Sequence, residues 1–383
     1  MNIKRGHEMI SFTPVWFDSM GAKSSCTLVE TPDTKVLIDP GIAVMQPSFP
    51  ASDTQKSEWE KKGRKAIKKA ASKADVLTIS HYHYDHYMPE DIEIYRGKLV
   101  LAKNPNEYIN DSQRKRAEHF YAKLFRKYGK IYLEKFLDFK NERKGNGSIS
   151  QFTDKANARG LELVEKKGKY PNPMKNLPLS SNMKFGDYDD RRKELLKKGY
   201  KSFGRRVENW KEKPAIPEAK FNQLELRFAD GKSFSFGKTK IRITDALFHG
   251  IEFSRVGWAF STVIEHGKKK LLHSSDLSGP IVEDYAKWII DENPDILVMD
   301  GPMTYMYGYL LNKTNLKRAL DNMVKIVKET DTETIIYDHH LTREKNFKKH
   351  TKRVRKAARE TGKEILTAAE YLGQKTKILE ITE

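Results

Sequence analysis

The chain has 383 residues, 38% hydrophobic and 32% charged, and its 71 lysines and arginines against 52 aspartates and glutamates give a formal net charge of +19. This length and composition can bury a sizeable core. No run of about 18 apolar residues could span a membrane, and one cysteine, Cys26, makes no internal disulfide.

The N-terminus carries no long apolar stretch with a cleavage site, so no signal peptide is read and a cytoplasmic protein is expected. A positive field draws polyanions, although abundant Lys and Glu also suit a heat-adapted surface. The excess is regional. Residues 111–220 hold 29 Lys/Arg and 15 Asp/Glu, a net of +14.

In chain order, Ile10–Phe17 reads as a strand. Ser25–Glu30 and Lys35–Ile38 flank a Thr-Pro-Asp-Thr turn, a hairpin signal, and end in Asp39-Pro40-Gly41. Residues 55–73 have the spacing of a basic amphipathic helix, with Lys61–Lys69 as its solvated face. The apolar run 75–80 is a buried strand, and Lys98–Ala102 is another. Residues 104–220 change character, with helices predicted over 111–137 and 189–212 around a Gly/Pro/Asn-rich stretch. Strands resume at 223–229, 232–236 and 239–244. A second hairpin, 258–265 and 269–273, ends in Ser274-Ser275-Asp276 and echoes the first, so the chain reads as two related halves. A helix over 281–290, a strand over 296–299 ending in Asp300, a helix over 314–329 and a strand over 334–337 lead to Asp338-His339-His340. A basic helix over 343–361 and a short strand close the chain. Strands alternating with helices predict an α/β layered fold.

The chemistry is concentrated in His81-Tyr-His83-Tyr-Asp85-His86, immediately after a buried strand. In an extended segment, residues i and i+2 share a face, so His81 and His83 can grip one ion. A turn then directs Asp85 and His86 towards a second. Imidazoles and carboxylates without thiolates suit zinc, with manganese or iron as alternatives. His249, Asp276, His339 and His340 each follow a strand, at the sheet edge where α/β proteins place their sites.

His-Tyr-His-Tyr-Asp-His resembles the His-x-His-x-Asp-His signature of the metallo-β-lactamase superfamily. Asp39, His249, Asp276 and a late His follow in the same order. Thr78–His86, Leu101-Ala-Lys, Ile109-Asn-Asp-Ser-Gln, Asp338-His-His-Leu and Ala368-Ala-Glu-Tyr-Leu-Gly resemble an uncharacterised, mainly archaeal branch of predicted hydrolases. The resemblance covers roughly 1–110 and 223–375. It implies a four-layer αββα sandwich built from 1–103 and 221–383, with 104–220 as a basic, mostly helical insertion or lid. It implies two divalent metal ions: His81, His83 and His249 around one, Asp85, His86 and His339 around the other, and Asp276 shared by both. Asp39 would brace the histidine segment. His339 is preferred as the late ligand because the spacing to Arg343 resembles that of nuclease members; His340 is the alternative. Arg343 would then support the ligands from behind. The 163-residue interval from His86 to His249 departs from compact members, and the insertion accounts for it.

Such a centre activates a bridging water as hydroxide for hydrolysis. Asp85 would orient it or take its proton, and His340 would protonate the leaving group. Phosphate esters of nucleic acid or nucleotides are the first expectation, since the insertion interleaves cations with aromatics, among them Arg205, Arg206 and Trp210 as substrate contacts. A lactone or thioester hydrolase of an anionic metabolite is the second expectation. An RNA- or DNA-binding protein with an idle metal site is the third. Neither a membrane partner nor a particular oligomeric state is read from the sequence.

Overall fold

The computed structural model describes residues 10–134 and 156–382. Two sheets stand at its centre. The first holds eight strands: β1 (Ser11–Phe17), β2 (Ser25–Glu30), β3 (Lys35–Ile38), β4 (Val76–Ile79), β5 (Lys98–Ala102), β6 (Leu161–Glu162), β7 (Glu218–Phe221) and β8 (Leu224–Phe228), in the spatial order β1-β2-β3-β4-β5-β8-β7-β6. The second holds seven. These are β9 (Ser233–Phe236), β10 (Thr239–Ile243), β13 (Thr262–His266), β14 (Lys269–His273), β15 (Ile296–Asp300), β16 (Thr334–Asp338) and β17 (Ile365–Leu366). A small ribbon, β11 (Leu247–Phe248) with β12 (Trp258–Ala259), carries the loop between them.

Successive side chains on a strand point to opposite faces, and the core follows that period. Val29, Val36, Ile38, Val76 and Leu101 of the first sheet join Ile241, Ile243, Ile264 and Leu271 of the second in one cluster. Their neighbours Leu28, Leu37, Leu77 and Val100 fall in the cluster that also holds Ile67, Ala70 and Ala71 of helix α1 (Asp53–Ala71). Strands buried on both faces read as continuous apolar runs, which is why residues 75–80 lack alternation. The second sheet repeats the plan. Leu272, Leu297, Met299 and Ile335 share the cluster with residues of the outer helices, and these four layers make the αββα sandwich.

The internal echo has a structural counterpart. In each sheet an antiparallel hairpin, β2–β3 or β13–β14, is followed across a helix by a parallel strand, β4 or β15. Helix α1 begins with a capping box between Ser52 and Gln55, which satisfies two otherwise orphaned donors.

The basic segment contributes α2 (Asp111–Leu124), the one-turn α3 (Pro178–Asn182) and α4 (Asp189–Glu212), while β6 and β7 extend the first sheet beyond β8. Residues 135–137 of the predicted first helix lie outside the described residues; before them, α2 ends in a π-turn at Phe125–Gly129. Helices α5 (Glu283–Glu292) and α6 (Lys313–Glu329) pack on the second sheet, with Ile289, Met323 and Ile326 in one cluster with Leu272, Leu297 and Ile335. The helix expected over 343–361 is broken. A 3₁₀ turn at Leu341–Arg343 precedes α7 (Phe347–His350) and α8 (Lys352–Glu360), and β17 is followed by two further short helices, α9 (Ala368–Tyr371) and α10 (Lys377–Thr382). Among the described residues, no helix is long and apolar enough to cross a membrane.

Candidate metal centre

Every candidate ligand leaves the end of a strand or the loop behind it, where both sheets open at one edge. His81–His86 follows β4, His249 follows β11, Asp276 follows β14 and His339 follows β16. Two of these exits carry a non-glycine residue with positive φ, Ser275 at 52° and His340 at 49°, and so does the exit of β3, with Asp39 at 48°. Such backbone is held only where the surroundings over-determine it. Gly41 is needed for the same packing, because a Cβ there would lie 2.1 Å from the backbone nitrogen of Tyr87 and 2.2 Å from that of His86.

The ligand-type atoms converge. His81 Nε2 lies 2.9 Å from His83 Nδ1 and 3.3 Å from Asp276 Oδ2, and His249 Nε2 is 2.9 Å from that same oxygen. The other oxygen, Asp276 Oδ1, is 3.2 Å from His86 Nε2 and 3.4 Å from His339 Nε2, and Asp85 Oδ2 lies 3.9 Å from His339 Nε2. His81, His83, His249 and Asp276 thus form one group able to hold an ion, and Asp85, His86 and His339 a second. A third grouping, Asp276, His339 and His340, shares residues with both.

The donor set fits divalent ions on two grounds. His86 Nε2, His339 Nε2, Asp276 Oδ1 and both ring nitrogens of His249 are buried without a hydrogen-bond partner, an expensive state for polar atoms that have no other use. The close approaches also have the right scale. Ligand atoms placed tetrahedrally at zinc distances of about 2.0–2.1 Å stand about 3.3 Å apart.

The rings are held from behind. Asp39 Oδ2 lies 2.9 Å from His86 Nδ1, and its carboxylate also accepts from Ser80 N and Ser80 Oγ. Asp18 Oδ1 lies 3.0 Å from His339 Nδ1 and accepts from Ser24 N; Asp18 Oδ2 accepts from His340 N and from the Arg343 guanidinium. In both cases the carboxylate fixes Nδ1 and turns Nε2 towards Asp276. Ser275 Oγ donates to Ser80 Oγ at 2.7 Å, joining the two echoed segments directly.

Charge balances within the cluster. Burial pushes the Asp276 carboxyl up, but His86, His339, His81 and His249 outweigh it and hold it well below the usual range. Burial opposes ionisation of Asp85 too, and His86 and Arg343 reverse it. Burial takes His81 down to about 4, helped by His86. His339 stands at about 9, because Asp18 and Asp276 overcome its burial.

His340 lies beside this set, its ring 4.3 Å from that of His339 and its Nδ1 2.9 Å from Asp300 Oδ1. Burial and the cation of Arg343 keep His340 well below its ordinary value, whereas burial and the charge of Asp276 raise Asp300 well above its own. Arg343 Nη2 reaches Asp85 Oδ2 at 3.3 Å. Asp18 and Asp300 escape sequence reading. Each is a single carboxylate after a strand, with no neighbouring ligand residue to mark it, although the recurring pattern of an acid at a strand exit was a usable signal.

The structure does not bring Trp210 to this edge. It is 5% exposed, and its indole N–H donates to Ile109 O at 2.9 Å, so the aromatic packs α4 onto the core instead of offering a face to substrate. Phe120, Tyr121 and Phe125 are likewise fully buried. Arg205 is exposed, and Arg206 lies over the ring of Trp258. Cys26 is buried, and burial raises its thiol well above the ordinary value, which leaves it inert.

The family and sequence comparisons agree with this arrangement. The family model described as "Metallo-beta-lactamase superfamily" matches residues 21–88, a span that contains Asp39 and the whole histidine segment. A UPF0282 protein of Methanocaldococcus jannaschii is 30% identical over 381 residues, covering 96% of this chain and 93% of that one. A UPF0282 protein of Methanopyrus kandleri is 29% identical over 381 residues, covering 96% and 95%. Among solved structures, the metallo-beta-lactamase fold protein YhfI from Bacillus subtilis aligns over 91% of this chain and 93% of its own, with 13% identity and a TM-score of 0.37. The chain belongs to the UPF0282 family, an archaeal branch of the metallo-beta-lactamase superfamily.

Proposed function

We propose that this protein is a two-metal hydrolase of phosphate esters, acting on the phosphodiesters of nucleic acid or nucleotides. One observation carries the reading: the two oxygens of Asp276 face two different groups of ligand-type side chains, as a carboxylate shared between two ions must. Two divalent ions, with zinc first and manganese or iron as alternatives, supply Lewis acidity and make water a nucleophile at neutral pH. The residues do the rest. His81, His83 and His249 hold one position, and Asp85, His86 and His339 the other. Asp39 and Asp18 keep the Nδ1 protons of His86 and His339 in place. Asp85, kept ionised by His86 and Arg343, orients the attacking water and accepts its proton at Oδ2. His340 is kept neutral, and as its Nε2 proton passes to the leaving oxygen its Nδ1 takes the proton of Asp300, whose carboxyl burial and the charge of Asp276 hold well above its ordinary value. The +14 segment at 111–220 supports an anionic substrate, and one buried cysteine suits a cytoplasmic reaction.

The test is hydrolysis of a bis-aryl phosphodiester, with a lactone and a thioester in the same panel, by protein loaded with each ion. Turnover of the phosphodiester should vanish in His83→Ala and Asp85→Ala. Undiminished turnover in either variant, or activity on the lactone or thioester alone, would refute the proposal.

A further inference from the structure

A partly buried guanidinium is costly unless something compensates its charge. Arg192, Arg227, Arg242, Arg318 and Arg343 each lie against a carboxylate. Two partly buried arginines beside the ligand segments do not, among the described residues. Arg116 Nη1 donates to Tyr82 O at 3.1 Å, and its guanidinium lies 5.1 Å above the ring of Tyr84, the residue between His83 and Asp85. That ring is 49% exposed. Arg206 lies 5.3 Å above the ring of Trp258, next to Gly257, whose carbonyl accepts from His249 N at 3.1 Å.

The two arginines border one continuous piece of structure. Gln113 on α2 accepts from Tyr82 N at 3.2 Å and donates to Val256 O at 2.7 Å. Asn110 donates to Arg255 O at 3.0 Å and to Val256 O at 2.6 Å. The first turn of α2 therefore ties the histidine segment to the loop that begins at His249. Arg255 is exposed on that loop and has no carboxylate partner among the described residues. Helix α4 packs along the loop, with Gly199 and Phe203 against Phe253, so Arg206 is delivered to the same rim. Burial lowers the Arg206 guanidinium from its ordinary value, and the charges of Arg205 and Arg255 add to that, against the pull of Asp111.

A ring under a guanidinium fixes its plane and leaves its edge to donate; Arg116 gives one Nη1 N–H to Tyr82 O and keeps the others for phosphate oxygens. An exposed tyrosine stacks on the face of an unpaired base, which a duplex does not offer.

We propose that Arg116, Arg206 and Arg255 hold phosphates flanking the scissile ester of a single-stranded oligonucleotide, with Tyr84 stacked on one of its bases. The proposal rests on the phosphate-ester reading but is tested by binding, without turnover. The full chain, kept metal-free with chelator, is titrated into a fluorescein-labelled 12-nucleotide single strand over a range of salt concentrations, with anisotropy as the readout.

Arg116→Ala and Arg206→Ala should each raise Kd about tenfold and lower the slope of log K against log salt by about 0.7 for each phosphate no longer neutralised. Arg255→Ala, at an exposed position, gives the same test where folding is not at risk. Arg116→Lys keeps the charge and should still weaken binding, because the planar fork is gone. Lys197→Ala with Lys201→Ala, on the exposed side of α4, should leave Kd within about twofold. An unchanged Kd and slope in all three arginine variants would overturn the proposal. So would equal affinity for the matching duplex, or absence of single-strand binding by the wild type. Arginine-dependent binding by a protein that, metal-loaded, cleaves nothing would support the anchors and sink the hydrolase reading.

Discussion

The loop that begins at His249 is clamped by a buried ion network, and Glu252→Gln tests how much that clamp contributes. Glu252 Oε1 accepts from Arg192 at 2.8 Å and from Arg318 at 2.7 Å. Arg318 also reaches Glu283 through Nε at 2.8 Å and Nη2 at 2.7 Å, and Ser180 Oγ donates to Glu283 at 2.9 Å. The four charged side chains are 4–10% exposed. Removing one partner of a buried pair costs about 3–5 kcal/mol, because the remaining charge stays desolvated. Glutamine keeps the shape and one acceptor, so the low end, about 3 kcal/mol, is expected. At about 2 °C per kcal/mol for a large domain, the melting temperature of the metal-free protein should fall by about 6 °C. Arg192→Met leaves the Arg318–Glu252 pair intact and should cost about half as much. The double variant should show a coupling of at least about 1 kcal/mol. A fall below about 2 °C for Glu252→Gln, or strict additivity in the double variant, would show that α3 and α4 are not fastened to the His249 loop through these charges.

Asp18→Asn should weaken ion binding at the position of His339 by about 10–100-fold while sparing the His81–His83–His249 position; a zinc titration against a competing chelator should resolve two unequal sites, and equal loss at both would contradict the assignment. Gly41→Ala drives a Cβ into the backbone of His86 and Tyr87, so it should lower both the melting temperature and the metal stoichiometry, and a variant that melts and loads like wild type would disprove the close approach. Chelator should lower the melting temperature of loaded protein, since an ion at 100 times its Kd stabilises by about 2.7 kcal/mol per site; coincident melting curves would mean that no ion binds the folded state. Burial pushes Glu292 up, yet Arg242 and Lys270 hold it at about 2, below its ordinary 4.5. Because the folded value is depressed, the stabilisation, at most about 3 kcal/mol, is fully present above pH 4.5 and lost as pH falls towards 2. The stability gap between wild type and Glu292→Gln should close over that window, and a constant gap would exclude the linkage.

The histidine segment was legible because its ligands are local and fall on a fixed two-residue spacing. Asp276 and His339 were legible because each comes soon after an apolar run read as a strand; His249 lies beyond the strand read over 239–244, behind the two-residue β11, and was legible chiefly through the order of residues in the resemblance. Asp18 and Asp300 were not, since their partners lie 321 and 40 residues away and leave no mark nearby. The aromatics of α4 misled for a related reason. Phe203, Val207 and Trp210 fall at the spacing of one helix face, which is the pattern of a core stripe before it is that of a binding surface. The break after β16 was hidden by an unbroken basic pattern. What stops the helix is tertiary: Asp18 and Asp85 draw Arg343 inward, and His340 turns the chain with φ of 49°.

The reach of Asp18 also sets an order of events during synthesis. It directly follows β1, yet His339, His340 and Arg343 are made more than 300 residues later. At about 5–20 residues per second this interval lasts about 16–64 s. Throughout it, the histidine segment exists without the groups that aim half of it. The centre therefore takes its final form only once β16 and the turn behind it have been made, so loading with ions cannot be completed on the first half of the chain.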